Sequence, residues 1–188
     1  MTVAYTGLYD WIVGCQALYA LGGTTVDAIV VGPETVSTTG GKPDIVPITN
    51  WTKLGTVTDL AVTPKNKYVP RRAPSPGKYQ TRKQVLESSE LEFSIALQEH
   101  SLLVQQILWN AKTVDLATGA YIPNSMTGAF EAWIKFQLYN EADTLINSAD
   151  VWCQLDVGPA KFAEKVFDYA LKLTLLKSSL NTGCFAGF

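Results

Sequence analysis

At 188 residues the chain has room for one domain with a sizeable core, and 47% hydrophobic residues with 11% aromatics exclude a disordered polymer. Charged residues make up only 17%, against about 25% in an ordinary domain, so some surface is expected to be covered by another molecule. A net charge of −2 and a pI near 5.4 exclude a general nucleic-acid binder.

In chain order, Leu8, Trp11, Ile12, Cys15, Leu18 and Tyr19 follow helical spacing, and Gly22-Gly23 would end such a helix. The polar face is weak, so residues 1–25 read either as a short helix or as an apolar arm that docks on a neighbour. The first residues lack a positive segment and carry Asp10, which makes a poor secretory signal. Cys15, Cys153 and Cys184 are odd in number and far apart, so buried free thiols in a reducing compartment are expected. No uncharged apolar run approaches the ~18–20 residues that span a bilayer. These features describe a soluble, intracellular chain. Residues 26–188 read as a single domain.

Val26–Val31 is a short strand candidate, and residues 34–47 are rich in Thr, Ser, Gly and Pro like an exposed loop. Thr56–Thr63 alternates as a strand. Then the charge changes character. From Leu60 to Leu86 there are seven basic residues (Lys65, Lys67, Arg71, Arg72, Lys78, Arg82, Lys83) and no acid. The other residues therefore hold 8 of the 15 bases and all 17 acids, a net −9. Pro64, Pro70, Pro74 and Pro76 interrupt the basic stretch, which reads as a long projecting loop over residues 64–83. A basic projection on an acidic body suits an anionic partner or another copy of the chain. Between Glu87 and Glu99 lie four acids (Glu87, Glu90, Glu92, Glu99) and no base, a candidate counter-surface.

Tyr79–Glu87 resumes an extended pattern, Ser88-Ser89 reads as a turn, and Leu91, Phe93, Ile95 and Leu97 alternate with polar residues as a half-buried strand. Ser101–Ala111 switches to a helical period, with a stripe of Leu102, Leu103, Gln106, Ile107 and Asn110 and Ser101 as N-cap. Three further strands follow: Phe130–Tyr139, Val151–Val157 and Phe167–Leu175. Trp133, Tyr139 and Trp152 fall on the nominally wet faces of these strands, so they are candidate subunit-interface aromatics. About seven strands and one helix make a mainly β chain. Its expected form is an antiparallel β-sandwich or partly closed barrel with a flanking α-helix.

Catalytic and metal constellations are not expected. His100 is the one histidine, and it reads as a polar residue at a helix start. Glu90 and Glu92 share a strand face but sit on its wet side, outside any shaped cleft. No GxSxG, GxxxxGK[ST] or GxGxxG motif occurs. The Asn50-Trp51-Thr52 sequon has no secretory context. No enzyme activity, metal or cofactor is expected. A β-barrel module for single-stranded nucleic acid or carbohydrate stays open as an alternative, with Tyr68 and Tyr79 able to stack on bases and Trp133 and Trp152 available to a ligand.

The segment Asn50-Trp51-Thr52-Lys53-Leu54-Gly55-Thr56-Val57-Thr58-Asp59-Leu60 has a Trp-x-x-Leu-Gly run leading into a strand. A long hairpin loop, Val85–Glu87, Glu90–Gln98 and the helix follow it. That order resembles the tail tube proteins of tailed bacteriophages over about residues 48–112, and the C-terminal strands agree in order and length. The resemblance implies a β-sandwich or barrel that forms hexameric rings, stacked into a hollow tube that conducts viral DNA to the host. It implies that Lys65 to Lys83 reach the adjacent ring. It makes Thr56–Thr63, Tyr79–Glu87 and Phe130–Tyr139 candidates for lumen or inter-subunit sheets. The implied partners are other copies of the chain, with tape-measure, baseplate or tip, and tail terminator proteins. DNA passes without specific binding and no membrane is entered; the chain is made in the host cytoplasm and ends in the virion. Other head-tail components of a phage, such as a terminator, connector or decoration protein, are the alternative within this class.

Overall fold

The computed structural model describes residues 12–35, 48–98, 102–108, 111–114, 117–118, 120–123, 130–157, 161–162 and 167–178. The elements in order are β1 (Gly14–Leu21), β2 (Thr25–Val26), β3 (Ile29–Val30), β4 (Thr52–Ser75), β5 (Lys78–Leu97), α1 (Leu102–Leu108), β6 (Ala111–Val114), β7 (Tyr121–Pro123), β8 (Phe130–Tyr139), β9 (Leu145–Val157), β10 (Lys161–Phe162) and β11 (Phe167–Leu175). The chain is mainly β and antiparallel, with one helix among the described residues.

Six strands pair in the order β11-β5-β4-β1-β8-β9, and β9 returns to pair with β11. The ring is irregular. Leu54 is an extra residue in β4 opposite the Ala17/Leu18 step of β1, and further register shifts interrupt the β4–β5 and β8–β9 ladders. Inside lie Phe93, Ile95 and Leu97 from β5, Ala132, Ile134 and Phe136 from β8, Val151, Cys153 and Leu155 from β9, and Leu171 and Leu173 from β11. Each set is spaced by two, as one face of a strand requires. Leu103, Val104 and Ile107 of α1 pack against the same core.

The N-terminal expectation needs correction. Residues 14–21 form a central strand between β4 and β8, neither a helix nor an arm; Leu8 and Trp11 lie outside the described residues. The helical spacing misled because both faces of β1 are covered. Cys15, Tyr19 and Leu21 pack on the barrel core, while Ala20 packs on a second cluster outside it. A strand with two apolar faces loses its period-two signal.

The second cluster holds Ala20, Val31, Ile48, Trp133 and Trp152, with Val26, Trp51 and Leu176 against it. Trp133 is 0% exposed and Trp152 4%. Their rings lie 5.6 Å apart, and Trp133 Nε1 donates to the Gly32 carbonyl at 2.7 Å. Both belong to the core of their own chain, which corrects their reading as subunit-interface aromatics. The wet face expected for β8 and β9 is covered by the chain's own segments around Val26–Val31 and Ile48–Trp51. Tyr139 is half-buried, with its hydroxyl 3.1 Å from Gln137 Oε1.

Asp27 ties those covering segments together. The β2–β3 turn places Asp27 at φ 52° and Ala28 at φ 62°, a turn with two left-handed residues of the kind that joins tight hairpins. The Asp27 carboxylate accepts from Thr49 N (2.8 Å), Thr49 Oγ1 (2.7 Å), Asn50 N (2.7 Å) and Asn50 Nδ2. The hydrogen bond from the Thr49 hydroxyl, then those from Asn50 and the Thr49 amide, hold its pKa below the ordinary 3.8. A depressed carboxylate stabilises the fold at neutral pH, and that contribution is lost as pH falls below about 3.8 through the folded value. Asp27→Asn is expected to raise amide hydrogen exchange at Thr49 and Asn50 at pH 7 and to shrink the difference in their protection between pH 7 and pH 2.5. Unchanged protection would show that the clamp is not what holds the segment.

Lys135 and Asp150 are also buried on this outer face, 9% and 3% exposed as side chains, with 3.7 Å between Lys135 Nζ and Asp150 Oδ1. Lys135 Nζ lies 4.8 Å from the centre of the Trp51 ring.

Candidate functional site

β4 and β5 are far longer than the barrel needs. β4 pairs with β1 only through Thr52–Val57, and β5 pairs with β11 only through Glu92–Leu97. Beyond those limits β4 and β5 pair with each other alone, from Pro64↔Leu91 out to Ser75↔Lys78. The result is a two-stranded ribbon about 40 Å long at the usual rise of ~3.3 Å per residue. Nearly all of its described side chains are exposed.

The segment expected as a loop over 64–83 is therefore ordered β-structure. Only Pro76 and Gly77 make the turn, with Gly77 at φ 79° and Pro76 before it, the residue order of a type II turn. The Pro-Gly pair was the available signal. The other prolines are tolerated because each strand of an isolated ribbon has an outer edge, where a missing N–H breaks no ladder bond. Ser88-Ser89 is likewise no turn: it continues β5 opposite Lys67 and Asn66, and Ser89 Oγ donates to Asn66 Oδ1 at 2.7 Å.

The ribbon has three zones. Nearest the barrel is a neck of ion pairs. Glu92 accepts from Lys65 and, at 3.0 Å, from Lys172; Lys67 lies 2.7 Å from Glu87. The Lys65 hydrogen bond, then that from Lys172, lowers the Glu92 pKa, and the Glu92 bond raises that of Lys65. Glu90 stands opposite Lys65 in the register. The expected acidic counter-surface is thus largely turned inward: Glu87 and Glu92 engage bases of their own chain, and Glu99 lies outside the described residues.

The middle zone is apolar on both faces. Tyr68 stands opposite Leu86, and the next pair, Val69 and Val85, points the other way. All four are exposed, from 37% at Val85 to 51% at Tyr68.

The tip is basic. Arg71, Arg72, Ala73, Arg82 and Lys83 line a cleft of about 410 Å³. Arg71 faces Lys83 directly across the ladder, and a register shift follows at Arg71/Arg72. Like charges in cross-strand contact destabilise a ribbon. Arg71, Arg72, Lys78, Arg82 and Lys83 have no ion-pair partner among the described residues.

Of the strands expected to join neighbouring subunits, Phe130–Tyr139 does not qualify: β8 is paired on both sides within its own chain, by β1 and β9. The outer edges of the ribbon, by contrast, meet no other described strand. His100 and Cys184 lie outside the described residues, and Cys15 and Cys153 are free thiols. Burial pushes Cys15 up to about 11 and Cys153 higher still, so neither is a reactive thiolate at neutral pH. Among the described residues no three His, Cys, Asp or Glu side chains gather as metal ligands, and no helix is long and apolar enough to cross a membrane.

Fold and ribbon together define a mainly β, antiparallel chain whose irregular six-stranded sheet presents a long, basic-tipped β-ribbon. No family model matches the sequence, and no curated protein matches it. Among solved structures, the chain is similar to one from the cryo-EM structure of the anti-feeding prophage (AFP) baseplate, 6-fold symmetrised, at 9% identity, covering 92% of this chain and 95% of that one with a TM-score of 0.45. A likeness of that size does not establish a shared fold.

Proposed function

Results

Sequence analysis

At 188 residues the chain has room for one domain with a sizeable core, and 47% hydrophobic residues with 11% aromatics exclude a disordered polymer. Charged residues make up only 17%, against about 25% in an ordinary domain, so some surface is expected to be covered by another molecule. A net charge of −2 and a pI near 5.4 exclude a general nucleic-acid binder.

In chain order, Leu8, Trp11, Ile12, Cys15, Leu18 and Tyr19 follow helical spacing, and Gly22-Gly23 would end such a helix. The polar face is weak, so residues 1–25 read either as a short helix or as an apolar arm that docks on a neighbour. The first residues lack a positive segment and carry Asp10, which makes a poor secretory signal. Cys15, Cys153 and Cys184 are odd in number and far apart, so buried free thiols in a reducing compartment are expected. No uncharged apolar run approaches the ~18–20 residues that span a bilayer. These features describe a soluble, intracellular chain. Residues 26–188 read as a single domain.

Val26–Val31 is a short strand candidate, and residues 34–47 are rich in Thr, Ser, Gly and Pro like an exposed loop. Thr56–Thr63 alternates as a strand. Then the charge changes character. From Leu60 to Leu86 there are seven basic residues (Lys65, Lys67, Arg71, Arg72, Lys78, Arg82, Lys83) and no acid. The other residues therefore hold 8 of the 15 bases and all 17 acids, a net −9. Pro64, Pro70, Pro74 and Pro76 interrupt the basic stretch, which reads as a long projecting loop over residues 64–83. A basic projection on an acidic body suits an anionic partner or another copy of the chain. Between Glu87 and Glu99 lie four acids (Glu87, Glu90, Glu92, Glu99) and no base, a candidate counter-surface.

Tyr79–Glu87 resumes an extended pattern, Ser88-Ser89 reads as a turn, and Leu91, Phe93, Ile95 and Leu97 alternate mostly with polar residues as a half-buried strand. Ser101–Ala111 switches to a helical period, with a stripe of Leu102, Leu103, Gln106, Ile107 and Asn110 and Ser101 as N-cap. Three further strands follow: Phe130–Tyr139, Val151–Val157 and Phe167–Leu175. Trp133, Tyr139 and Trp152 fall on the nominally wet faces of these strands, so they are candidate subunit-interface aromatics. About seven strands and one helix make a mainly β chain. Its expected form is an antiparallel β-sandwich or partly closed barrel with a flanking α-helix.

Catalytic and metal constellations are not expected. His100 is the one histidine, and it reads as a polar residue at a helix start. Glu90 and Glu92 share a strand face but sit on its wet side, outside any shaped cleft. No GxSxG, GxxxxGK[ST] or GxGxxG motif occurs. The Asn50-Trp51-Thr52 sequon has no secretory context. No enzyme activity, metal or cofactor is expected. A monomeric β-barrel module for single-stranded nucleic acid or carbohydrate stays open as an alternative. Tyr68 and Tyr79 would then stack on bases, and Trp133 and Trp152 would serve a ligand.

The segment Asn50-Trp51-Thr52-Lys53-Leu54-Gly55-Thr56-Val57-Thr58-Asp59-Leu60 has a Trp-x-x-Leu-Gly run leading into a strand. A long hairpin loop, Val85–Glu87, Glu90–Gln98 and the helix follow it. That order resembles the tail tube proteins of tailed bacteriophages over about residues 48–112, and the C-terminal strands agree in order and length. The resemblance implies a β-sandwich or barrel that forms hexameric rings, stacked into a hollow tube that conducts viral DNA to the host. It implies that Lys65 to Lys83 reach the adjacent ring. It makes Thr56–Thr63, Tyr79–Glu87 and Phe130–Tyr139 candidates for lumen or inter-subunit sheets. The implied partners are other copies of the chain, with tape-measure, baseplate or tip, and tail terminator proteins. DNA passes without specific binding and no membrane is entered; the chain is made in the host cytoplasm and ends in the virion. Other head-tail components of a phage, such as a terminator, connector or decoration protein, are the alternative within this class.

Overall fold

The computed structural model describes residues 12–35, 48–98, 102–108, 111–114, 117–118, 120–123, 130–157, 161–162 and 167–178. The elements in order are β1 (Gly14–Leu21), β2 (Thr25–Val26), β3 (Ile29–Val30), β4 (Thr52–Ser75), β5 (Lys78–Leu97), α1 (Leu102–Leu108), β6 (Ala111–Val114), β7 (Tyr121–Pro123), β8 (Phe130–Tyr139), β9 (Leu145–Val157), β10 (Lys161–Phe162) and β11 (Phe167–Leu175). The chain is mainly β and antiparallel, with one helix among the described residues.

Six strands pair in the order β11-β5-β4-β1-β8-β9, and β9 returns to pair with β11. The ring is irregular. Leu54 is an extra residue in β4 opposite the Ala17/Leu18 step of β1, and further register shifts interrupt the β4–β5 and β8–β9 ladders. Inside lie Phe93, Ile95 and Leu97 from β5, Ala132, Ile134 and Phe136 from β8, Val151, Cys153 and Leu155 from β9, and Leu171 and Leu173 from β11. Each set is spaced by two, as one face of a strand requires. Leu103, Val104 and Ile107 of α1 pack against the same core.

The N-terminal expectation needs correction. Residues 14–21 form a central strand between β4 and β8, neither a helix nor an arm; Leu8 and Trp11 lie outside the described residues. The helical spacing misled because both faces of β1 are covered. Cys15, Tyr19 and Leu21 pack on the barrel core, while Ala20 packs on a second cluster outside it. A strand with two apolar faces loses its period-two signal.

The second cluster holds Ala20, Val31, Ile48, Trp133 and Trp152, with Val26, Trp51 and Leu176 against it. Trp133 is 0% exposed and Trp152 4%. Their rings lie 5.6 Å apart, and Trp133 Nε1 donates to the Gly32 carbonyl at 2.7 Å. Both belong to the core of their own chain, which corrects their reading as subunit-interface aromatics. The wet face expected for β8 and β9 is covered by the chain's own segments around Val26–Val31 and Ile48–Trp51. Tyr139 is half-buried, with its hydroxyl 3.1 Å from Gln137 Oε1.

Asp27 ties those covering segments together. The β2–β3 turn places Asp27 at φ 52° and Ala28 at φ 62°, a turn with two left-handed residues of the kind that joins tight hairpins. The Asp27 carboxylate accepts from Thr49 N (2.8 Å), Thr49 Oγ1 (2.7 Å), Asn50 N (2.7 Å) and Asn50 Nδ2. The Thr49 hydroxyl, then the Asn50 amide, hold its pKa below the ordinary 3.8. A depressed carboxylate stabilises the fold at neutral pH, and that contribution is lost as pH falls below about 3.8 through the folded value. Asp27→Asn is expected to raise amide hydrogen exchange at Thr49 and Asn50 at neutral pH, with little further loss of protection in acid. Unchanged protection would show that the clamp is not what holds the segment.

Lys135 and Asp150 are also buried on this outer face, 9% and 3% exposed as side chains, with 3.7 Å between Lys135 Nζ and Asp150 Oδ1. Lys135 Nζ lies 4.8 Å from the centre of the Trp51 ring, so the cation is held by a carboxylate and an aromatic face together.

Candidate functional site

β4 and β5 are far longer than the barrel needs. β4 pairs with β1 only through Thr52–Val57, and β5 pairs with β11 only through Glu92–Leu97. Beyond those limits β4 and β5 pair with each other alone, from Pro64↔Leu91 out to Ser75↔Lys78. The result is a two-stranded ribbon about 40 Å long at the usual rise of ~3.3 Å per residue. Nearly all of its described side chains are exposed.

The segment expected as a loop over 64–83 is therefore ordered β-structure. Only Pro76 and Gly77 make the turn, with Gly77 at φ 79° and Pro76 before it, the residue order of a type II turn. The Pro-Gly pair was the available signal. The other prolines are tolerated because each strand of an isolated ribbon has an outer edge, where a missing N–H breaks no ladder bond. Ser88-Ser89 is likewise no turn: it continues β5 opposite Lys67 and Asn66, and Ser89 Oγ donates to Asn66 Oδ1 at 2.7 Å.

The ribbon has three zones. Nearest the barrel is a neck of ion pairs. Glu92 accepts from Lys65 and, at 3.0 Å, from Lys172; Lys67 lies 2.7 Å from Glu87. The Lys65 hydrogen bond, then that from Lys172, lowers the Glu92 pKa, and the Glu92 bond raises that of Lys65. Glu90 stands opposite Lys65 in the register. The expected acidic counter-surface is thus largely turned inward: Glu87 and Glu92 engage bases of their own chain, and Glu99 lies outside the described residues.

The middle zone is apolar on both faces. Tyr68 stands opposite Leu86, and the next pair, Val69 and Val85, points the other way. All four are exposed, from 37% at Val85 to 51% at Tyr68.

The tip is basic. Arg71, Arg72, Ala73, Arg82 and Lys83 line a cleft of about 410 Å³. Arg71 faces Lys83 directly across the ladder, and a register shift follows at Arg71/Arg72. Like charges in cross-strand contact destabilise a ribbon. Arg71, Arg72, Lys78, Arg82 and Lys83 have no ion-pair partner among the described residues.

Of the strands expected to join neighbouring subunits, Phe130–Tyr139 does not offer an edge: β8 is paired on both sides within its own chain, by β1 and β9. The outer edges of the ribbon, by contrast, meet no other described strand. His100 and Cys184 lie outside the described residues, and Cys15 and Cys153 are free thiols. Burial pushes Cys15 up to about 11 and Cys153 higher still, so neither is a reactive thiolate at neutral pH. Among the described residues no three His, Cys, Asp or Glu side chains gather as metal ligands, and no helix is long and apolar enough to cross a membrane.

Fold and ribbon together define a mainly β, antiparallel chain whose irregular six-stranded sheet presents a long, basic-tipped β-ribbon. No family model matches the sequence, and no curated protein matches it. Among solved structures, the chain is similar to one from the cryo-EM structure of the anti-feeding prophage (AFP) baseplate, 6-fold symmetrised. The identity is 9%, the match covers 92% of this chain and 95% of that one, and the TM-score is 0.45. A likeness of that size does not establish a shared fold.

Proposed function

We propose that the chain is a structural protein of a phage tail, one that assembles head to tail into stacked, six-membered rings forming the hollow tube that conducts viral DNA. The single observation that carries this reading is the ribbon. A two-stranded hairpin alone in water is marginal at best. This one runs far past its barrel, exposes apolar residues on both faces and concentrates unpaired cations at its tip. Each feature is a liability in a monomer and an asset in an assembly. Open ribbon edges invite further pairing, which a regular neighbour would satisfy and close. The apolar belt would be covered and the cations neutralised.

A single surface that fits a different surface on the next copy gives heterologous contacts, which generate rings where the rotation closes and stacks where it does not. The acidic balance of the rest of the chain supports a conduit, because a basic wall would hold phosphates by counterion release. Six-membered rings and a tube are what the resemblance of residues 48–112 to tail tube proteins implies.

The test is negative-stain microscopy of the purified chain over a concentration and salt series. Hollow tubes or stacked rings are the expected result. Single closed rings that never stack would point to a terminator instead. A chain that stays monomeric throughout and binds single-stranded DNA through Tyr68 and Tyr79 would replace the assembly reading with a binding module.

A further inference from the structure

The ribbon tip needs an acceptor, and the neck acids are already engaged. Strand direction narrows the search. β4 is antiparallel to β1, and β1 is antiparallel to β8, so β4 and β8 run the same way. The ribbon leaves the barrel at the rim where β8 ends, the same rim as the Asn140–Thr144 turn. The opposite rim is where β8 begins and β9 ends. Near it stand Glu131, second residue of β8, and Asp156, next to last in β9. Both are exposed.

These two acids share the outer face. Glu131 pairs in register with Gln154, and Asp156 follows two residues on, so both point away from the barrel core. Gln154 Nε2 lies 3.2 Å from Asp156 Oδ2 and steadies that carboxylate. Lys172 stands opposite Asp156 in the register, but its Nζ is drawn to Glu92 at 3.0 Å. Neither Glu131 nor Asp156 has an ion pair among the described residues. Glu141 and Asp143 are exposed too, but they sit at the ribbon's own rim and would face the wrong way in a head-to-tail contact.

We propose that the cleft formed by Arg71, Arg72, Arg82 and Lys83 receives the Glu131 and Asp156 carboxylates of a second copy of this chain. This rests on the stacking reading and names its partner surface. Guanidinium forks match carboxylates in a two-point geometry, and three of the four cations lining the cleft are arginines. Docking would also remove the like-charge repulsion between Arg71 and Lys83. The contact is heterologous, since donor and acceptor lie at opposite rims of one chain, and it therefore propagates.

A charge exchange tests this. Arg71→Glu/Arg72→Glu and Glu131→Lys/Asp156→Lys are each expected to raise the concentration at half-assembly by about tenfold or more. The fourfold variant carrying both exchanges is expected to return to within about threefold of wild type, because coupled sites are non-additive. Far-UV circular dichroism and thermal melting of each variant separate lost docking from lost fold. If wild type assembles but the fourfold variant is no better than either pair, the acceptor assignment is wrong and stacking stands. A wild-type chain that never assembles overturns the stacking reading and this contact with it.

Discussion

Replacing residues 65–90 with an Asn-Gly turn is expected to leave the barrel folded and to abolish assembly. The cut joins Pro64 to Leu91, which face each other across the ladder, so a two-residue turn with positive φ closes the gap without shifting the register. No core residue is removed. The buried set of β5 begins at Phe93, and every described side chain from Ala61 to Glu90 is exposed except Ala73, which is half-buried. The lost neck contacts are ion pairs at the surface, worth ~0–1 kcal/mol each. Thermal melting is expected to move by no more than a few degrees. Assembly is expected to fail at every concentration, because the deleted residues hold both the apolar belt and the basic tip. Tubes formed by the shortened chain would remove the ribbon from the mechanism. A barrel that unfolds on deletion would show that the ribbon stabilises its own subunit.

Trp133→Ala is expected to act in the opposite way. Trp133 is 0% exposed, lies tilted against Trp152 at 52° and donates to Gly32 from its indole N–H. Truncation removes one of the two buried indoles of the outer cluster and leaves the Gly32 carbonyl without that donor. Core Trp→Ala changes cost about 3–5 kcal/mol. Against a total stability of about 5–15 kcal/mol for a domain, that loss is large. It should appear in urea unfolding of dilute, unassembled chain. Tyr139→Ala, at a half-buried position, is expected to cost much less. Equal and small effects at both positions in unassembled chain would restore the view that these aromatics serve a subunit interface. The two experiments therefore separate surfaces that serve folding from surfaces that serve association.

Much of the barrel was legible in the chain because its strands bury one face. Phe130–Tyr139 and Phe167–Leu175 were read to their observed ends, and Leu91–Leu97 to its inward set, since alternation survives wherever one side meets a core and the other meets solvent or a thin cover. The helix was found, but its buried stripe turned out to be Leu103, Val104 and Ile107, while Leu102 is 41% exposed. Seven residues are too few for periodicity to fix the rotation of a helix. The charge split was legible too, because counting needs no structure.

Other features were set by contacts between residues distant in sequence. β1 was misread as helical because a separate segment covers its outer face, and no local pattern announces that cover. Trp133 and Trp152 read as exposed for the same reason: their partners, Val31 and Ile48, come from about a hundred residues earlier in the chain. The ribbon looked like a loop because its prolines argue against strands, and only the β4–β5 pairing makes them edge residues. Glu87 and Glu92 looked available until that register set them beside Lys67 and Lys65. Composition and alternation thus determined that the chain is an antiparallel β domain with a basic projection. Which faces are wet, which acids are engaged and where the projection points were decided by tertiary pairing, because burial and ion pairing depend on what the fold brings alongside.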